Sequence, residues 1–255
     1  MSVEWAKLIL TLVTAVATAW WTLKIWREQR DKEFQEREKE RQQERRRVSA
    51  LYVNPFLLAC EELQSRLYNI LERKGLEALN EQAPDGSYAE ETLYLIVQYF
   101  GWQRCIYRYY RDSKIIELLE QIRDAFATSD FSVEAFCFYR PQQRSLGEMI
   151  MLRTEGEFGF EFDTKGYNEF LKMPALESQQ VKAIQDTLTT LRNARQARDL
   201  PSTVCRRLAK IQKLLVEVLN YVEEKENVSF FYSNGQQDRS IADETICQQS
   251  ANPRS

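Results

Sequence analysis

The chain has 255 residues, 44% of them apolar, and a formal charge of -3, so it can bury a core and is too acidic to be a globally basic nucleic-acid binder. It contains no histidine, which removes every mechanism that needs an imidazole base, a His metal ligand or a His-based pH switch. Eight glycines and six prolines are too few for the many tight turns of a sandwich or barrel, and the composition favours helices.

From Leu8 to Leu23 no residue carries a charge. As a helix this run would span about 24 Å, slightly less than a bilayer core. Lys7 and Lys24 can snorkel outward from its ends, while Trp5 at one end and Trp20, Trp21 and Trp26 at the other form aromatic belts. The sequence therefore predicts a transmembrane anchor over 1–26. Ala17-Thr18-Ala19 resembles a signal-peptide cleavage site, but cutting there would leave an exposed apolar end beginning Trp20-Trp21. Basic residues accumulate after Lys24, so the positive-inside rule predicts a single-pass protein of the cell or inner membrane, with its amino terminus outside and everything from Arg27 onward cytoplasmic. Thr14, Thr18 and Thr22 share one face at a spacing that suits helix association, or else their hydroxyls bond back onto their own helix.

Residues 27–48 are almost wholly charged, lack Gly and Pro, and place Glu28 with Lys32, Glu33 with Arg37 and Glu44 with Arg47 at ion-pair spacing. They predict a solvated helical spacer. Its composition mimics a coiled coil, but Phe34 is its only large apolar residue and there is no seam. Arg27, Arg30 and Lys32 would lie nearest anionic lipid.

The globular part is predicted over 49–227. Asn54-Pro55 reads as a helix start, followed by a stripe of Phe56, Cys60, Leu63, Leu67 and Ile70. A turn leads to a long helix from Tyr88 crowded with Tyr94, Tyr99, Phe100, Trp102, Tyr107, Tyr109 and Tyr110, too many for one face. A third helix carries Ile115, Leu118, Leu119, Ile122 and Phe126. Residues 128–174 are less regular, with room for a short strand around Gly156 and Gly159. Two further helices, one with Val181, Ile184, Leu188 and Leu191 and one with Val204, Leu208, Ile211, Leu215, Val218 and Val222, meet at Leu200-Pro201 and predict an antiparallel hairpin. The polar residues 228–255 read as a disordered tail. The predicted architecture is thus all-α: a transmembrane helix, a charged helical spacer, and a cytoplasmic antiparallel bundle of about five to six helices.

Function is less legible. No nucleotide loop, nucleophile elbow, kinase set, zinc pattern or internal repeat occurs, so no catalytic residue, metal ligand or cofactor is assigned. The five cysteines, Cys60, Cys105, Cys137, Cys205 and Cys247, form no C-x-x-C pair and read as unpaired core residues of a reduced compartment. Glu155, Glu157, Glu161 and Asp163 are an acidic cluster that would have to converge for acid–base work or cation binding. Interleaved Tyr99, Trp102, Arg104 and Arg108, and the basic run Arg206, Lys210 and Lys213, are the candidate partner surface. The leading expectation is a membrane-anchored module that binds, scaffolds or regulates a protein partner, with nucleic acid disfavoured. The alternatives are a tethered enzyme working near 155–163 and a subunit of a membrane oligomer.

Overall fold

The computed structural model describes residues 3–72, 76, 87–110, 112–128, 135–156, 159–173, 182–194, 196–226 and 241–242, with the side chains of 3–17, 19, 45, 156, 159 and 160 outside that description. The described chain is mostly helical and falls into two compact units, Met1–Ser49 and Ala50–Ser255.

The first unit is one helix, α1 (Val3–Val48). Its described surface is exposed from Trp20 to Trp26 and along the charged half. Arg37 and Glu33 approach to 4.0 Å, as do Arg41 and Glu38, all with open side chains. Among the described residues no helix is long and apolar enough to cross a membrane. Much of the apolar run, with the anchor residues Trp5 and Lys7, belongs to 3–17, whose side chains are outside the description.

The second unit begins with a π-helical turn (Ser49–Val53) that runs straight into α2 (Asn54–Leu71). The predicted Asn54 cap is therefore not used: Val53 precedes the helix in helical conformation, with no side-chain cap. Pro55 lacks an N–H and crowds the preceding turn, and the wider π turn absorbs both defects without interrupting the helix. Then follow α3 (Ser87–Tyr109), α4 (Ser113–Ala127), α5 (Arg140–Ile150), strands β1 (Met151–Gly156) and β2 (Gly159–Thr164), the single turn α6 (Tyr167–Phe170), α7 (Lys182–Asn193), a 3-10 turn (Ala197–Asp199) and α8 (Ser202–Glu226).

α3 is the central post. It packs against α2, α5, α6 and α7, while α8 lies on α2 and α4. This accounts for the aromatic crowding: Tyr99 lies against Phe56 of α2 and Phe126 of α4, Phe100 against Phe126 and Phe138, and Trp102 is buried with them. The rings of Phe100, Phe126 and Phe138 meet edge to face at 5.0 to 6.2 Å. The apolar stripes of α2, α4 and α8 are buried along their length, as are Ile184, Leu188 and Leu191 of α7; Val181 lies outside the described residues.

Where α3 crosses α5, glycine sets the spacing. A Cβ on Gly147 would stand 2.8 Å from the Phe100 carbonyl oxygen, and one on Gly101 would meet Ile150 at 2.7 Å. The two backbones thus approach as only glycine permits.

Three expectations change. The last two helices do not pack chiefly on each other: α7 lies on α3 and α8 on α2 and α4. The buried segment Ala135–Phe138 binds to both, because the Phe136 amide donates to Thr187 Oγ1 of α7 at 2.8 Å and Arg207 of α8 donates to the Ala135 carbonyl at 2.6 Å and to the Thr128 carbonyl. Phe136 holds φ at 57°, a strained value for a bulky residue that these bonds over-determine. Of the tail expected to be disordered over 228–255 only residues 241–242 lie within the described residues, and there Ala242 is buried and its amide donates to Gln212 Oε1 at 3.2 Å. Finally, Cys205 is disulfide-bonded, whereas Cys60, Cys105 and Cys137 are buried and outside any disulfide. Sequence spacing could not show this, because a disulfide joins residues brought together only by the fold.

Candidate interaction surfaces

The residues singled out from sequence separate into core and surface. Tyr99 and Trp102 are sealed in the bundle, at 0% and 3% exposure, and present nothing to a partner or to a stacked base. Tyr99 accepts a hydrogen bond from Gln103 Nε2 at 3.1 Å, and the same nitrogen reaches the Leu119 carbonyl at 3.2 Å. Burial pushes the Tyr99 hydroxyl far above its ordinary range. Arg104 and Arg108 do stand on the surface: Arg104 is ion-paired with Glu148 of α5, and Arg108 lies 5.5 Å over the Tyr109 ring.

On α8, Arg206, Lys210 and Lys213 are all exposed. At steps of four and three they form one basic stripe opposite the buried Val204, Leu208, Ile211 and Leu215. Near the chain's turn before α8, Arg198 is exposed too, while Arg192 is held by Glu90 and Arg195 lies outside the described residues. Arg207, adjacent in sequence, does the opposite and turns inward to the carbonyls of the 128–138 region. No charge pattern distinguishes it from Arg206; only its step of three from Val204 hints at burial.

The acidic cluster does not converge. β1 and β2 are antiparallel, with Leu152 opposite Asp163, Thr154 opposite Glu161 and Glu155 opposite Phe160. Alternation along a strand therefore puts Glu155 on one face and Glu161 with Asp163 on the other. All three are exposed, and Glu157 lies outside the described residues. No group of three or more metal-ligating side chains gathers among the described residues. The hairpin's other face instead carries Phe162, half-buried against the stacked pair Tyr52 and Tyr109, whose rings are 4.3 Å apart and nearly parallel.

Other polar contacts serve the fold. Asp112 caps α4 by accepting from the Ile115 amide at 2.9 Å, and Lys225 and Tyr221 of α8 donate to its other oxygen. Burial alone would raise the Asp112 carboxyl, but these donors together hold it below its ordinary range. Buried Gln212 and Gln64 are linked at 3.3 Å, and Gln64 continues to Glu61 at 2.9 Å. On the α2–α3 face, Arg66 pairs with Glu91 at 2.6 Å and lies 4.2 Å over the Tyr88 ring; burial pushes the Tyr88 hydroxyl up to about 12, with Arg66 pulling the other way. The thiols of Cys60 and Cys105 are equally remote from nucleophilic use. Burial drives Cys60 well up, with help from Glu61, and takes Cys105 to about 11 despite Arg104 and Arg108.

On α1, Lys24 sits 5.7 and 5.8 Å over the rings of Trp20 and Trp21, and Arg30 lies 4.8 Å over Trp26. Thr22 Oγ1 donates to the Thr18 carbonyl at 2.8 Å, so that hydroxyl is satisfied within its own helix. Compared with protein-family models, curated proteins and solved structures, the chain matches none.

Proposed function

We propose that the chain is a single-pass membrane protein whose helical domain serves as an interaction, scaffold or regulatory module. The observation that carries the anchor is the belt on α1: Trp20, Trp21, Leu23, Ile25 and Trp26 are each at least 40% exposed, with basic groups over the indoles. Large apolar side chains gathered this way gain most where one end of each ring meets hydrocarbon and the other meets headgroups. The uncharged run before them supplies the hydrocarbon-spanning part. Arg206, Lys210 and Lys213, with the flanking Arg198, form the surface that would meet an acidic protein or an anionic membrane.

The count of basic residues on the two sides of the uncharged run favours a cytoplasmic domain. The disulfide at Cys205 favours an oxidising compartment instead, so the two signals oppose each other and topology is the measurement to make. Membranes holding the full chain are washed with alkaline carbonate, and a Phe34→Cys variant is treated with a membrane-impermeant maleimide. The proposal expects retention after the wash and labelling only when the cytoplasmic face is opened. Release by carbonate, or an isolated protein whose first residue is Trp20, defeats the anchor; labelling of intact cells reverses the orientation.

A further inference from the structure

We propose that the domain docks on anionic lipid headgroups through Arg206, Lys210 and Lys213 of α8, a contact that rests on the membrane location proposed above and gives that basic surface its partner. The three side chains are exposed and, at steps of four and three, stand on one face over about 10 Å of helix. Elsewhere on the domain surface cations are matched: Arg66 pairs with Glu91, Arg104 with Glu148, Arg140 with Asp124 and Arg192 with Glu90. Among the described residues no carboxylate stands within ion-pair distance of Arg206, Lys210 or Lys213.

The stability of α8 does not account for this row. Arg206 and Lys210 are four residues apart and Lys210 and Lys213 three, and like charges at those spacings weaken a helix. The fold does not use them either, since Val204, Leu208, Ile211 and Leu215 bury the opposite face and Arg207 makes the inward bonds. The row is unbalanced positive charge held at the surface.

What the row lacks decides between a protein and a lipid partner. A stable protein interface centres on large apolar or aromatic side chains packed into pockets and ringed by polar groups. Among the described residues no large hydrophobic side chain of α8 is exposed. Charge alone is left to attract a partner, and a bilayer rich in anionic headgroups answers it, because it presents a continuous negative surface with no shape to match. The row is close in length to the Debye length of about 8 Å at physiological salt, so all three cations meet that surface together. Each basic side chain there favours the bound state about fivefold, and three favour it about a hundredfold. An anchored chain is already held at the bilayer, so this gain acts at high effective concentration. Farther along α8 the same face turns acidic, at half-buried Glu217 and exposed Glu224, which confines the contact to the first half of the helix.

The full chain is placed in lipid nanodiscs, open to reagent on both faces, made of phosphatidylcholine alone or of equal parts phosphatidylcholine and phosphatidylserine. Lysines are acylated with limiting reagent, and the rate at each residue is read by mass spectrometry. With phosphatidylserine, Lys210 and Lys213 should react at least about tenfold more slowly, while exposed Lys172 and the Asp112-paired Lys225 keep their rates. Salt at about 1 M, which shortens the Debye length to about 3 Å, should abolish the difference. Arg206→Gln should reduce the slowing about fivefold, and Arg144→Gln, at an exposed arginine of α5, should leave it unchanged. Equal rates in the two lipids, equal slowing of Lys172, slowing that survives high salt, or slowing only when polyglutamate is added would each overturn the proposal, the last by giving the row to an acidic protein. The anchor is scored separately, by flotation of vesicles of the same lipids after an alkaline carbonate wash. A chain released there whose Lys210 and Lys213 are still slowed by phosphatidylserine loses the anchor and keeps the lipid contact, whereas a retained chain with equal rates keeps the anchor and loses the contact.

Discussion

α1 and α8 are the two longest helices of the described chain, and they are held by different physics. Along α8, Val204, Leu208, Ile211, Leu215, Val218 and Val222 are fully buried, and polar groups such as Arg207 and Gln212 have defined partners. Along the charged half of α1 the side chains are open, and its ion pairs stretch to 4.0 Å. Tertiary packing therefore defines α8, whereas propensity and local pairing define the exposed part of α1. Substitutions should follow this division: large costs where buried groups cannot relax, and almost none on the α1 surface.

The largest cost is expected in the aromatic core. Phe100 is 2% exposed and meets Phe126 at 5.0 Å, so Phe100→Ala should cost about 3–5 kcal/mol in urea unfolding. Arg207→Met comes next. It keeps the apolar stem and leaves the Ala135 and Thr128 carbonyls without their donor, a loss of about 2–3 kcal/mol. A loss no greater than that of Arg206→Met would mean that the inward arginine does not differ from its outward neighbour.

Gly147→Ala is a test of sign. Helix propensity gains about 1 kcal/mol from the change, but the new Cβ would lie 2.8 Å from a backbone oxygen that cannot swing aside, and overpacking costs about 1–3 kcal/mol. Net destabilisation is expected in thermal unfolding. Stabilisation would show that the α3–α5 crossing is looser than its geometry.

The same contrast shows what the sequence made legible. Apolar stripes at steps of three and four identified the buried faces of α2, α4, α7 and α8, because periodicity records burial directly. α5 escaped notice because only Leu146 and Ile150 are large apolar residues on its buried side, and Gly147 reads as a breaker until the backbone of α3 is seen against it. Position in the fold also decided the fate of similar residues. Tyr99 and Trp102 had the composition of a binding surface yet fill the core, while Arg206 and Arg207 differ only in which way the helix turns them. The acidic run around Glu155 is a cluster only along the chain, and a strand's alternation separates Glu155 from Glu161 and Asp163. The Cys205 disulfide depends on a pairing that no local pattern encodes.

Asp112 tests the joint between α4 and α8. Its carboxyl is held below the ordinary range, so its contribution is complete above the unfolded value near about 4 and is lost as pH falls through the lower folded value. Asp112→Ala should cost about 1 kcal/mol at neutral pH through the lost cap. Asp112→Asn can retain the cap while losing the charge, so its stability should vary less with acid than that of the parent chain. An unchanged acid profile would remove Lys225 and Tyr221 as stabilisers of the charged form.

The smallest effect belongs to α1. Arg37 and Glu33 keep 74% and 66% of their side-chain surface, and their 4.0 Å approach is the outer limit of an ion pair. In water the attraction at that distance is offset by the entropy of holding two long side chains in place, and salt screens what is left. Arg37→Gln should therefore leave the unfolding midpoint unmoved in low and high salt alike. A shift at low salt that disappears at high salt would mean that the charged half of α1 takes part in a wider electrostatic network, and the division between a helix held by its own surface and helices held by their neighbours would fail at that position.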